Sequence, residues 1–125
     1  MSQAIEGIDI TMEAASDLSA KQYFAVKMSA ADKVDVAGAN EKAIGILQNE
    51  PESGEAALVR ITGTSKVKSH DGSGIAVGDL LTPDANGKLE EVDADKEWCI
   101  AQALEASSAD DDVIEAIVRG FTATI

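Results

Sequence analysis

The sequence predicts an all-β fold, a small barrel or sandwich, and three observations carry that expectation. Apolar and polar residues alternate over short stretches, as where Ile8, Ile10 and Met12 flank Asp9 and Thr11. Turn-forming clusters separate these stretches at about 8–12 residues, the spacing of short antiparallel strands. No segment carries the 3.6-residue apolar period of a long amphipathic helix.

The elements follow in chain order. Ile8 to Met12 has strand period, either in an N-terminal arm (residues 1–20) or as the first strand of the domain. Glu13 to Ala20 is a turn or a short helical piece. Ser16–Lys21 and Gly74–Gly78 are the best helical candidates, each a turn or two long. Tyr23 to Met28 reads as a strand, Ser29 to Asp32 as a turn, and Lys33 to Ala37 as a second alternating strand. Gly38, Ala39 and Asn40 then break the chain. Ala43 to Leu47 is an apolar run with Gly45 inside it, which signals a buried strand with a bulge or a close backbone approach. Pro51 to Glu55 supplies turn residues, and Ala57 to Thr62 returns as a strand that Gly63 ends, so 43–62 reads as a hairpin.

The later chain repeats this grammar. Leu80 and Leu81 stand for Lys27 and Met28, and Asn86-Gly87 marks a hairpin turn. Lys88 to Val92 stands for 33–37, Trp98 to Leu104 for 43–47, Val113 to Arg119 for 57–62, and Gly120 for Gly63. Lys33 to Lys88 spans 55 residues, Ile44 to Ile100 spans 56 and Gly63 to Gly120 spans 57. A slow drift of this kind is what lengthened loops produce. The sequence therefore reads as two similar four-strand units, about 24–63 and 79–120, inside one domain of residues 21–125.

A chain of 125 residues suits one domain. Hydrophobic residues make up 45% but aromatics only 3%, so the core must be built from Val, Ile, Leu and Ala, and partner subunits are expected to help cover it. Acids outnumber bases by 23 to 10, a net charge of −13. Such a surface repels nucleic-acid phosphates and anionic membranes, so neither partner is expected. The lone Cys99 allows no intramolecular disulfide and no thiolate zinc site by itself. The N-terminus has neither the basic nor the apolar region of a secretory signal, so synthesis in a cytoplasm is expected.

Chemistry-bearing motifs are weak. His70 to Asp79 (HDGSGIAVGD) brings Gly72, Gly74 and Gly78 together, but the spacing is one residue too long for a dinucleotide loop, and Pro83 stops any following helix. Its plain reading is a link between the two units. Asp71, Asp84 and the Asp110–Asp112 run lack the ligand spacing of a calcium loop. His70 reads as a surface histidine, Cys99 as a small buried hydrophobe, and Trp98 equally as core or as subunit contact. No catalytic, cofactor or metal residues are expected.

Three phrases carry a resemblance. AIGILQN with a Pro/Gly turn and ALVRITG, then IAVGDLLTPDANGK, then CIAQALE resemble the small capsid decoration, or cement, proteins of tailed phages. The resemblance runs from about Lys21 to the C-terminus. It implies a compact β-barrel or β-tulip-like domain with an N-terminal arm. It also implies a structural virion protein on the outer surface of an expanded capsid, commonly a homotrimer, bound to the major capsid protein and bracing the shell against internal DNA pressure. Ile5, Ile8, Ile10 and Met12 are then the expected capsid-binding residues, by strand addition to a capsid-subunit edge. Trp98 is the expected subunit contact. The competing readings are a tail or fibre module recognising a host glycan or protein, a hydrolase fragment, and a cellular β-rich binding module. One Trp and one Tyr offer little for stacking on sugars.

Overall fold

The structure is a computed structural model and describes residues 7–39, 41–70, 74–92, 98–107 and 112–122. The alternating and apolar runs become nine strands among these residues. They are β1 (Gly7–Ala14), β2 (Ala25–Ala30), β3 (Lys33–Val36), β4 (Ala43–Leu47), β5 (Ala56–Lys68), β6 (Leu80–Pro83), β7 (Leu89–Glu91), β8 (Trp98–Ala103) and β9 (Val113–Thr122). Neither helical candidate is helical. Leu18 N–H bonds Pro51 C=O at 2.9 Å, and Ile75 and Ser107 exchange bonds of 3.1 and 2.8 Å. Backbone groups committed to distant partners are not free to close a helical turn.

All nine strands lie in one sheet, in the order β1-β3-β2-β4-β5-β9-β8-β6-β7, and β1 also pairs with β5. That extra pairing closes β1, β3, β2, β4 and β5 into a five-stranded barrel. Without its β1 end, the order β3-β2-β4-β5 mirrors β7-β6-β8-β9 about the antiparallel β5–β9 pair.

Individual hydrogen bonds keep the same spacing. Ala37 N–H to Ala25 C=O (3.0 Å) is matched by Val92 N–H to Leu80 C=O (2.8 Å). Leu47 to Phe24 (3.0 Å) is matched by Ala103 to Asp79 (2.9 Å), and Gln48 to Leu58 (2.8 Å) by Leu104 to Glu115 (2.8 Å). These bonds align Leu80 with Ala25, two residues before Lys27, the equivalent expected from sequence. Side-chain character misled there, because the ladder rather than the residue type sets the register.

The four strands expected in each unit are present, and each unit gains a fifth. Gly63 does not end its strand. With φ at 103° it carries β5 onward, paired to Gly7 on one side and to Val118 on the other. The first half of β5 completes the first barrel. The second half takes in the second unit the place that β1 has in the first. Ala14 N–H bonds Glu55 C=O (2.9 Å) and Ala15 N–H bonds Val34 C=O (2.8 Å). Ser69 N–H to Asp112 (2.8 Å) and His70 N–H to Leu89 (2.7 Å) are their counterparts.

Two large apolar clusters, with a small third one of Val92 and Cys99, fill the interior. Leu18, Val26, Val34, Leu47 and Val59 pack inside the first barrel. Ile46, Val67, Leu81, Leu89, Ile100 and Val118 form the larger cluster, which reaches across both units. Each such fully buried aliphatic side chain stabilises by about 1.5–3 kcal/mol relative to exposure. Gly45 lies in β4 where a Cβ would overlap Arg60 C=O and come within 2.7 Å of Val59 Cγ1, so the expected close backbone approach is there.

Candidate functional site

Of the four residues expected to bind a partner, Ile5 lies outside the described residues. The other three stand on β1, and a register shift separates Ile8 from Ile10 and Met12. Ile10 opposes Val59 and Met12 opposes Ala57. Both are half-buried and pack on the first-barrel cluster. Ile8 opposes Thr62 next to a register shift and is 59% exposed. The shift between Ile8 and Asp9 frees one apolar side chain while its neighbours stay inside. The β1–β5 ladder runs from Gly7 to Glu13, whereas β1 meets β3 only at Glu13 and Ala14.

An ion pair that sequence reading missed fixes β1 in place. Arg60 on β5 donates through Nε and Nη2 to the Asp9 carboxylate at 2.6 and 3.0 Å, and through Nη1 to Thr64 C=O at 2.8 Å. Its side chain is 12% exposed and that of Asp9 21%. A bidentate, largely desolvated pair is worth more than a surface salt bridge and costs heavily when one partner is removed. The partners are 51 residues apart, so no local motif announces them.

Trp98 is half-buried against the larger cluster, and its Nε1 donates to Ala43 C=O at 2.8 Å. The ring thus ties β8 of the second unit to β4 of the first. The remaining large exposed apolar side chains include Leu58 and Met28 in the first unit and Val77, Leu104 and Val113 in the second.

The chemistry-bearing residues are occupied structurally. His70 is half-buried rather than a free surface residue. Its Nδ1 is bonded to Asp84 Oδ2, and its Nε2 lies 3.7 Å from Glu90. Asp84 is buried, and its Oδ1 accepts from Asn86 N–H (2.7 Å) and Lys88 N–H (3.0 Å), so it shapes the β6–β7 turn. Burial pushes the Cys99 thiol up, against smaller opposing effects of the Leu81 and Ala101 backbone. That thiol is therefore protonated and a poor nucleophile at neutral pH. Among the described residues, no group of three or more His, Cys, Asp or Glu is arranged to hold a metal ion. In the glycine loop, Asp71, Gly72 and Ser73 lie outside the described residues. Gly78, at φ 92°, turns the chain into β6 and donates to Ala103 C=O.

Comparison with known proteins places this architecture. The sequence profile of a family described as phage cement protein matches residues 2–119. The chain belongs to this family. This family member is thereby a structural component of the phage particle. No curated protein matches the sequence. Among solved structures, the N base of the head fiber gp8.5 of bacteriophage phi29 has a TM-score of 0.64 at 19% identity, covering 89% of this chain and 92% of that one. At that identity the likeness is one of fold, and the fold is shared almost end to end.

Proposed function

We propose that this cement-family protein binds the outer surface of an expanded phage capsid and braces it against internal DNA pressure. The family match over residues 2–119 carries this reading. The partner is the major capsid protein, and the working form is a homotrimer, to whose contacts the exposed part of Trp98 contributes. The protein is made in the host cytoplasm and turns over no substrate.

The contact is narrower than the sequence suggested. Ile10 and Met12 are committed to the barrel, so Ile8 and the preceding residues, Ile5 included, supply the apolar anchor. The Gly7–Met12 stretch of β1, away from its short β3 contact, supplies backbone groups for an added strand. Deleting β1 would open the barrel and confuse binding with folding, so the informative variant is Ile8→Glu. Cosedimentation with expanded capsids is expected to saturate for the wild type and to weaken about tenfold for Ile8→Glu, in line with an anchor worth about 1.4 kcal/mol. Wild-type binding to neither expanded nor unexpanded capsids would sink the reading.

A further inference from the structure

The one histidine of the chain sits where the second unit closes. Ser69 bridges to Leu89 of β7, and His70 N–H donates to Leu89 C=O at 2.7 Å. From that seam the His70 ring reaches the β6–β7 hairpin. Its Nδ1 is bonded to Asp84 Oδ2, and its Nε2 lies 3.7 Å from Glu90 Oε1. Both ring nitrogens therefore face carboxylate oxygen. Only the imidazolium carries a proton on each nitrogen, and the neutral ring turns a lone pair toward one of the two carboxylates.

The contact continues into the junction of the two units. Asp84, with a side chain 6% exposed, uses its other oxygen to accept the Asn86 and Lys88 N–H groups at 2.7 and 3.0 Å. Gly87, between them, donates to Asp84 C=O at 3.1 Å, and its own C=O accepts Ala25 N–H of the first unit at 2.9 Å. A single carboxylate thus links the seam of the second unit to the turn that docks on the first.

We propose that His70 is a proton-operated latch, closed when its ring is an imidazolium and loosened when the ring is neutral. The charged groups around it set the sign. Asp84 and Glu90 on the hairpin favour the cation. So does Asp112, whose C=O accepts Ser69 N–H at 2.8 Å, and Asp71, next in the chain, has the same sign. Lys68, at the end of β5, and Lys88, which pairs with Asp84 across the turn, act against it. The Asp84 bond is direct and nearly desolvated, whereas both lysines are half-buried, so the carboxylates prevail. A histidine held as a cation by the fold gives stability that is complete below its unfolded pKa. That stability is lost as pH rises through the folded value. The window therefore runs upward from about 6.5. The Cys99 thiol, pushed up by burial, stays outside it. The latch stands independently of the capsid role.

The test follows the His70 Cε1–H resonance of ¹³C-labelled full-length protein from about pH 5 to about pH 9, folded and in urea. The folded midpoint is expected about one unit above the urea value, which amounts to a tenfold change in the folding constant. Urea unfolding of the wild type is expected to show that tenfold loss between about pH 5.5 and about pH 8.5. His70→Gln is expected to lack it, the α-amino group being common to both proteins. Exchange protection of the Ala25 amide, corrected for the intrinsic rate, is expected to fall with the His70 titration in the wild type and to stay level in His70→Gln. Asp84→Asn would also strip an acceptor from the turn, so the half-exposed Glu90→Gln serves as the second variant. It is expected to lower the His70 midpoint by about half a unit in a folded protein. A folded midpoint at or below the urea value overturns the proposal. So does an equal pH dependence in His70→Gln, Ala25 protection that ignores the titration, or a midpoint unmoved by Glu90→Gln.

Discussion

In the first unit the turn into β3 places Asp32 at φ 60°, and in the second the turn into β7 places Gly87 at φ 86°. The link into β2 has Tyr23 at φ 72°, and the link into β6 has Gly78 at φ 92°. The fold demands the same left-handed backbone at both pairs of sites, so the demand alone does not decide the residue. Surroundings do. Asp32 is exposed, whereas a Cβ on Gly87 would overlap Val36 Cγ1 and approach Ala37 C=O to 3.2 Å. The β6–β7 turn is pressed onto the first unit, and its counterpart faces water. The likeness of the halves breaks where they dock.

The largest effect is expected from breaking this asymmetry directly. Gly87→Val combines a disfavoured φ with a buried overlap and is expected to cost more than about 3 kcal/mol, or to abolish folding, in urea denaturation. Asp32→Gly relieves the same φ at an open site and is expected to stay within about 1 kcal/mol of wild type. Comparable losses for the two would refute the docking explanation.

A second contrast lies on β5 and β9. Arg60 opposes Ile46, and its counterpart Ile117 opposes Gln102. Arg60→Ala strands the Asp9 carboxylate and is expected to cost about 2–3 kcal/mol, below the value for a fully buried pair because both groups keep some exposure. Ile117→Ala removes half-buried apolar surface only and is expected to cost about 1 kcal/mol. Matching losses by thermal or urea unfolding would remove the special role given to the ion pair.

The smallest effect concerns pH. Lys27 and the Gly38 N–H hold the Glu41 carboxyl below its ordinary range, a pairing with no equivalent at Thr82, the match of Lys27. A carboxyl lowered in the folded state stabilises fully above its unfolded pKa and loses that contribution as pH falls through the folded value. Glu41→Gln is therefore expected to lower Tm slightly at neutral pH and to converge with wild type in acid. A gap that persists at low pH would mean that the change acts by some other route.

The strands were legible because each is short and either alternating or wholly apolar. Ala43 to Leu47 announced both a buried strand and, through Gly45, a close approach. Gly63 was misread because a glycine that ends a strand and one that carries it through a left-handed residue look alike in sequence. The spread of Ile8, Ile10 and Met12 over two environments was hidden by a register shift that no residue type encodes. His70, Asp84 and Glu90 drew no attention as a group because chain separation hides contact.

The thirteen residues of β5 serve as a wall of both units. Neither half can open without stripping the strand on which the other closes. Loss of structure is therefore expected as one all-or-none event, with a single transition seen by every probe. Partial opening of one half is correspondingly suppressed, which removes the frayed intermediates that proteases and aggregation exploit. A load applied at one end of the molecule passes along one continuous strand rather than across a linker. In a structural component of the phage particle, that continuity turns the two units into a single mechanical member.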